Sequence, residues 1–388
     1  MKQFNNTEIA FRSKSNQDLN RAYWLFKIIG YPSIVKIGKG FTNFALKTHL
    51  PINGIIRSTI FKQFCGGETI NECETVTSEL FSYGIGTILD YSVEGKTSAE
   101  DFEKTTKEII ATILKAKGNP AIPYAVFKVT GIATFSILEK YNNISNELSE
   151  NDKIEFQGIL SRVDRICKAA FENDVPVFID AEETWIQDTI DRLTVSMMNK
   201  YNKEKAIVFN TLQMYRHDRI AFLQDAIQDA KQNGYHYGIK LVRGAYMEKE
   251  RERALQLGYS SPIQATKKDS DSDYNKALQI IIDNIDVLAL CAGTHNEESS
   301  SFLAQLIENK GLSKSDKRIY FAQLLGMSDH ISYNLSNSNY NVAKYVPYGP
   351  ICEVLPYLLR RADENTSVAG QTGRELSLLT IEKKRRKG

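Results

Sequence analysis

No apolar run in this chain approaches the length of a membrane-spanning helix, so the sequence gives no reason to expect one. Cysteine is sparse. Cys65, Cys73, Cys167, Cys291 and Cys352 form no C-x-x-C pair and leave one over, which argues for reduced thiols in a cytoplasm-like compartment. Histidine is equally scarce: His49, His217, His236, His295 and His330 make up no H-E-x-x-H and no metal-spaced Cys/His cluster, so no metal is expected. The absence of a G-x-S-x-G elbow and of a G-x-x-x-x-G-K-[ST] loop removes support for serine acyl transfer and P-loop chemistry. GIGTIL from Gly84 lacks the third glycine of a dinucleotide fingerprint and opens a strand instead of joining strand to helix. Charge of one sign is missing too. A formal net charge of +2 over 388 residues, with 42% hydrophobic residues, fits neither a disordered chain nor a dedicated nucleic-acid binder. The first twenty residues have no apolar signal core and carry Glu8 and Asp18, so neither secretion nor a transit peptide is expected.

What the chain does contain is a rhythm. Short β-branched and aromatic runs recur at Gly84–Tyr91, Pro123–Thr130, Val175–Ala181, Lys205–Thr211, Tyr237–Val242, Asp286–Gly293, Arg318–Leu324 and Val342–Val346, each separated from the next by an amphipathic stretch of helical period. In SAEDFEKTTKEIIATILKAKG, Ser98 with Asp101 reads as a capping box, Glu100 and Asp101 occupy the first turn, and Gly118 closes the end. Ile159, Val163, Ile166, Cys167 and Ala170 share one face of the next such stretch, and HDRIAFLQDAIQDAKQNG ends at Gly234. Eight strand-helix units point to an α/β fold, a closed (β/α)8 barrel over residues 68–388; a doubly wound sheet is the competing architecture. Residues 1–67 break the rhythm. They read as an N-terminal helical arm, apolar and lysine-studded, whose ordinary role is to cover a barrel face and whose other role is contact with a membrane surface. Lys383, Lys384, Arg385, Arg386 and Lys387 form a basic tail open to the same two readings, a solvated end or contact with anionic lipid.

In barrels of this kind reacting groups come from the C-terminal ends of the strands. Here the strands end near Lys128, Asp180, Gln213, the KLVRGAY run with Lys240, Arg243 and Tyr246, then Thr294 and His295, Gln323, and Tyr345. Each has a plain structural reading: Lys128 with Asp180 is a possible ion pair, Gln213 a loop cap, His295 a satisfied loop histidine. Their shared position is what singles them out. From Tyr345 to Asn365 the chain reads YVPYGPICEVLPYLLRRADEN, in which Pro350 suits a first helical turn and Ile351, Val354, Leu355 and Leu358 recur at helical spacing. Arg360 and Arg361 then present two forked donors, with Glu364 four and three residues on. Adjacent guanidiniums with a carboxylate suit the acidic end of a small zwitterion; the plain reading is a solvated pair at a helix C-terminus.

FIDAEET (178–184), KLVRGAY (240–246), THNEES (294–299), YFAQLLGM (320–327), YVPYGP and YLLRRADEN together resemble the proline dehydrogenases, and FRSK (11–14) resembles the start of the family's mitochondrial-type branch. The resemblance runs from about Phe11 to the C-terminus. It implies a distorted (β/α)8 TIM-like barrel holding FAD, oxidation of L-proline to 1-pyrroline-5-carboxylate, and electrons passed to a membrane quinone, with a cytoplasmic protein in peripheral contact with the inner face of a membrane. Carried over by position, it implies that Arg360 and Arg361 grip the proline carboxylate, that Lys128, Asp180 and Glu364 form a charged network, and that Tyr345, Tyr357, Leu324 and Tyr246 pack round the pyrrolidine. Ala181, Gln213, Lys240, Arg243, Gly244, Ala245, Thr294 and His295 match flavin-contacting positions, and Asp180 and Lys240 carry the catalytic role. Bacterial members often have Arg where Lys240 stands and Lys where Arg243 stands, so Lys240 keeps the charge and loses the planar fork. Hydroxyproline enzymes tend to carry Ser where Tyr345 stands. Hydroxyproline dehydrogenation is one alternative; a Schiff-base aldolase with Lys128 as nucleophile and a non-catalytic membrane-surface protein are others.

Overall fold

The computed structural model describes residues 4–31, 53–93, 97–143, 148–367 and 369–387, with the side chains of 53 and 362–372 outside that description. Eight parallel strands form a closed barrel in the order β1 to β8. They are β1 (Ile85–Tyr91), β2 (Tyr124–Phe127), β3 (Val177–Ile179), β4 (Val208–Gln213), β5 (Tyr237–Val242), β6 (Leu288–Gly293), β7 (Ile319–Leu324) and β8 (Val342–Tyr348). All eight overlap the expected runs, and β4 and β8 each extend two residues beyond theirs. The principal helices are α1 (Asn16–Ile29), α2 (Ala99–Ala116), α3 (Glu150–Glu172), α4 (Thr184–Tyr201), α5 (Arg219–Asn233), α6 (Lys267–Asp283), α7 (Glu297–Asn309), α8 (Asp329–Ser336), α9 (Ile351–Ser367) and α10 (Ala369–Arg385).

Local chemistry accounts for these boundaries. The Ser98 hydroxyl accepts from Asp101 N–H at 3.1 Å and starts α2, while the Asp101 carboxylate accepts from the Ser98 hydroxyl at 2.7 Å. Ser149 with Asp152 makes a full capping box at α3. Gly234, at φ +61°, takes the left-handed turn that ends α5, a conformation that would strain a residue with a side chain.

Beside predicted site residues, three of these strand ends change the reading. Strand β2 stops at Phe127, so Lys128 lies just beyond it and leads into a 3-10 turn at Val129–Gly131. Strand β3 stops at Ile179, which puts Asp180 and Ala181 in the following loop. Strand β8 runs on to Tyr348, so Tyr345 sits inside the strand and not at its end. Proline at 347 does not interrupt β8 because its carbonyl still accepts, here from Gly66 N–H at 2.9 Å.

The chain divides into two compact units, Gly95–Ala322 and the combination of Gln3–Glu94 with Gln323–Gly388. In the first, rings on β2, β3, β4 and β7 pack together: Tyr124 stacks on Phe178 with centroids 4.4 Å apart and meets Phe209 and Tyr320 edge-on at 5.6 and 5.0 Å. In the second, Phe11, Leu19 and Phe26 share a core with Phe61, Phe64, Val354, Leu358, Leu378 and Leu379. The N-terminal segment therefore buries its apolar face with α9 and α10, which is why it needs no strand-helix rhythm of its own. Among the described residues no helix is long and apolar enough to cross a membrane.

Candidate functional site

The loops that follow β2 and β3 and the middle of β5 create a buried charge bridge in the first unit. Asp180 is 8% exposed, and each of its oxygens holds one ammonium: Lys128 Nζ lies 3.0 Å from Oδ2, and Lys240 Nζ contacts Oδ1. Backbone geometry fixes the carboxylate, because Asp180 N–H donates to Phe127 O at 2.9 Å and so ties the ends of β2 and β3 together. Lys240 projects from β5, in register with Thr211 on β4 and Cys291 on β6, and its ammonium lies 5.7 Å from the Phe178 ring centroid. Burial alone would raise the Asp180 carboxyl. Lys240 and Lys128 outweigh it and hold the group below the usual carboxylate range. An ammonium held against a carboxylate is a poor nucleophile, so this bridge takes support from the Schiff-base reading of Lys128.

A second carboxylate went unnoticed in the sequence. Glu182 is 3% exposed and accepts both from Thr130 N–H, at 3.1 Å, and from the Thr130 hydroxyl. Its main chain is held as firmly: Glu182 N–H donates to Gln187 Oε1 at 2.7 Å, and Glu182 O accepts from Gln213 Nε2 at 2.7 Å. Burial pushes its carboxyl up to about 7, against the bonds from Thr130 and the charge of Lys128. Thr130 is two residues from Lys128, so Glu182 pins the turn that presents that lysine. The run of three acids after β2's neighbour β3, Asp180 to Glu183, was the available signal; the partner 52 residues away was not readable.

Donors dominate the loops after β4, β5 and β6. Gln213 ends β4, and its Oε1 accepts from Ala245 N–H at 3.4 Å. Arg243 donates to Asp271 at 2.6 Å, to Thr294 Oγ1 at 2.7 Å and to Ser299 Oγ at 2.9 Å, and lies 4.3 Å from the Tyr274 ring centroid. Asp271 and Ser299 are further residues that sequence reasoning missed. Gly244, at φ +130°, has no room for a side chain, since a Cβ would meet the Tyr215 ring at 2.5 Å. Gly244 and Ala245 are exposed, while Tyr246 and His295 are half-buried and Ala181 and Thr294 are buried. Two ammoniums, a guanidinium, an amide and an exposed Gly-Ala turn are chemistry that fits the carbonyls and phosphates of a flavin nucleotide.

The remaining predicted residues lie in the second unit. Tyr345 is 8% exposed on β8, opposite Ile88 of β1, and its carbonyl accepts from Leu325 N–H at 2.8 Å. Pro350 O accepts from Glu353 and Val354 N–H and so opens α9, in which Pro356 removes one further donor. Arg361 is only 8% exposed, and its guanidinium lies 5.0 Å from the ring centroid of Tyr357, one helical turn earlier. It is not a solvated tail. Arg360 and Leu324 are half-buried, and the Glu364 side chain lies outside the described residues.

A sequence profile described as "Proline dehydrogenase" matches residues 73–374. The chain belongs to the proline dehydrogenase family. Membership makes it an oxidoreductase, and the family's chemistry implies a flavin. Among curated relatives, "Proline dehydrogenase 1, mitochondrial" of Dictyostelium discoideum is 35% identical over 98% of this chain and 74% of its own length. "Hydroxyproline dehydrogenase" of Xenopus laevis is 30% identical over 97% of this chain and 88% of its own. The fold is that of the crystal structure of proline utilization A from Bdellovibrio bacteriovorus inactivated by N-propargylglycine, with a TM-score of 0.74 at 18% identity. That match covers 96% of this chain and 40% of the larger one.

Proposed function

We propose that this protein oxidises L-proline to 1-pyrroline-5-carboxylate with FAD as its flavin and a quinone as the final electron acceptor. The observation that carries the reading is the Lys128–Asp180–Lys240 bridge, a buried carboxylate kept ionised by two ammoniums, in a chain of this family. Bound flavin supplies the acceptor for two electrons and the hydrogen that leave the ring carbon beside the nitrogen. Lys240, Gln213, Arg243, Thr294, His295, Ala181 and the main chain at Gly244 and Ala245 would hold it.

The chain's own residues do the rest. Arg360 and Arg361 take the substrate carboxylate in forked, charge-assisted bonds, which fixes the ring's orientation. The substrate nitrogen has to be neutral before the adjacent carbon can lose hydride, and positive charge then develops on it as the C=N bond forms. Asp180, whose carboxyl Lys240 and Lys128 hold below the usual range, stabilises that charge, with Glu364 as the second carboxylate of the network. The imine forms when the nitrogen's remaining proton passes to water. Tyr345, Tyr357, Leu324 and Tyr246 pack round the ring, and the bulk of Tyr345 favours proline over hydroxyproline, although one relative is named for the latter.

Peripheral contact with an anionic membrane surface is part of the reading. Supporting it, Trp24 and Ile28 on α1 and Tyr31 just beyond it are exposed at helical spacing, and Lys27 lies 4.9 Å from the Trp24 ring centroid. Ile381 and Lys384 on α10 are exposed, and Lys383 lies 4.0 Å from the Tyr23 ring centroid. Both carboxylates of α10, Glu375 and Glu382, are buried, which leaves its outer face cationic. Turnover of L-proline with a soluble quinone, with the imine trapped by an aminobenzaldehyde and the released flavin identified by chromatography, tests the function. No imine from a flavin-loaded preparation contradicts it.

A further inference from the structure

The segment joining β7 to α8 runs Leu324, Leu325, Gly326, Met327, Ser328, and it turns through two left-handed residues. Gly326 has φ +75° and Ser328 has φ +51°. The second is not a glycine, so its conformation is imposed by what surrounds it. At Gly326 a Cβ would meet Gln63 O at 2.1 Å, which leaves glycine as the residue that fits.

Side chains from three other segments catch this loop by its main chain. Lys344 Nζ, on β8, donates to Leu324 O at 3.3 Å and to Met327 O, and pairs with Asp329 Oδ1 at 2.8 Å. Gln63 Nε2 donates to Gly326 O at 2.9 Å, and the Glu375 carboxylate of α10 accepts from Ser328 N–H. Leu325 N–H donates to Tyr345 O, which locks the loop to the residue after Lys344. Lys344 is 0% exposed, and Asp329, its carboxylate partner, also holds Lys14 at 3.0 Å. Burial alone would raise the Asp329 carboxyl; Lys14 and Lys344 on either side hold it well below the usual range. A buried ammonium is a costly way to stiffen a loop, and an apolar side chain of the same volume often serves stability as well. What the ammonium adds is direction, since its three protons fix Leu324, Met327 and Asp329 relative to β8.

We propose that Lys344 and Gln63 are positioning residues that set Leu324 against Tyr345 and so make the substrate wall selective for an unsubstituted pyrrolidine. The inference rests on the functional reading above, in which Leu324 and Tyr345 pack round the ring. Neither Lys344 nor Gln63 is assigned a contact with substrate or flavin.

The test uses full-length, FAD-loaded protein carrying Gln63→Ala or Lys344→Met, with kcat and KM measured for L-proline and for trans-4-hydroxy-L-proline beside flavin content and thermal midpoint. In each variant the proline KM rises at least tenfold while kcat changes less than threefold, and the proline to hydroxyproline ratio of kcat/KM falls at least fivefold. Flavin content stays at the wild-type level. Gln63→Ala leaves the ion pairs intact, so it gives the answer even where Lys344→Met fails to fold. A lowered thermal midpoint with an unchanged substrate ratio marks an ordinary core contact and overturns the proposal. Wild-type protein that turns over neither substrate overturns the functional reading, and the proposal with it.

Discussion

Asp180→Asn preserves the shape of the charge bridge and removes the charge. Asp180 holds Lys240, whose side chain is 7% exposed, and Lys128, whose side chain is 21% exposed. A hydrogen bond to a charged group contributes about 1.5–3 kcal/mol, so the two together contribute about 3–6 kcal/mol. Lys128 recovers part of that by turning to water; Lys240 does not, and a buried ion pair broken on one side costs about 3–5 kcal/mol. The expected loss of stability is therefore about 3–5 kcal/mol, measured as a shift in the urea midpoint at neutral pH. The sign in acid follows from the depressed carboxyl. Its contribution is fully present above the ordinary value of 3.8 and is lost as pH falls through the lower folded value, so wild type and variant converge only in strong acid. On catalysis, loss of the carboxylate proposed to stabilise the developing charge should lower kcat by about 10²-fold with flavin content unchanged. A variant within about 1 kcal/mol of wild type and within about threefold in kcat would refute the reasoning.

Arg361→Ala should raise the proline KM by about 30-fold, the equivalent of about 2 kcal/mol for a charge-assisted bond, without loss of FAD; equal KM values contradict the clamp. Tyr345→Ser should move the ratio of kcat/KM toward hydroxyproline by about tenfold, and an unchanged ratio shows that another residue sets the discrimination. Glu182, raised by burial from 4.5 to about 7, keeps a proton in the folded state that the unfolded chain has released, so its contribution is fully present below 4.5 and is lost as pH rises through about 7. That loss is on the order of 3 kcal/mol, and Glu182→Gln should flatten the decline in thermal midpoint between these limits. Parallel declines in the two proteins argue that Glu182 titrates as an ordinary carboxyl.

The sequence disclosed most where local chemistry decides structure. Strand β5 occupies the expected Tyr237–Val242, and the buried face of α3 carries Ile159, Val163, Ile166, Cys167 and Ala170 as its period requires. Strand ends were less legible. Lys128 and Asp180 fall inside the expected runs, but each lies just past its strand, where the two side chains meet in an ion pair. Strand β8 continues through Pro347, whose carbonyl still accepts a bond. Glu182 was unreadable for a deeper reason. Nothing in its neighbourhood names Thr130, and only the fold brings the two together. The same holds for Lys344, whose three acceptors come from the end of β7, the loop after it and the start of α8.

The most direct measurement is an anaerobic titration of the purified, FAD-loaded protein with L-proline, followed at the visible flavin band. The account predicts stoichiometric bleaching, with wild-type protein responding at a proline concentration that leaves Arg361→Ala yellow. A band that proline leaves untouched, or one that bleaches alike in both proteins, would contradict it.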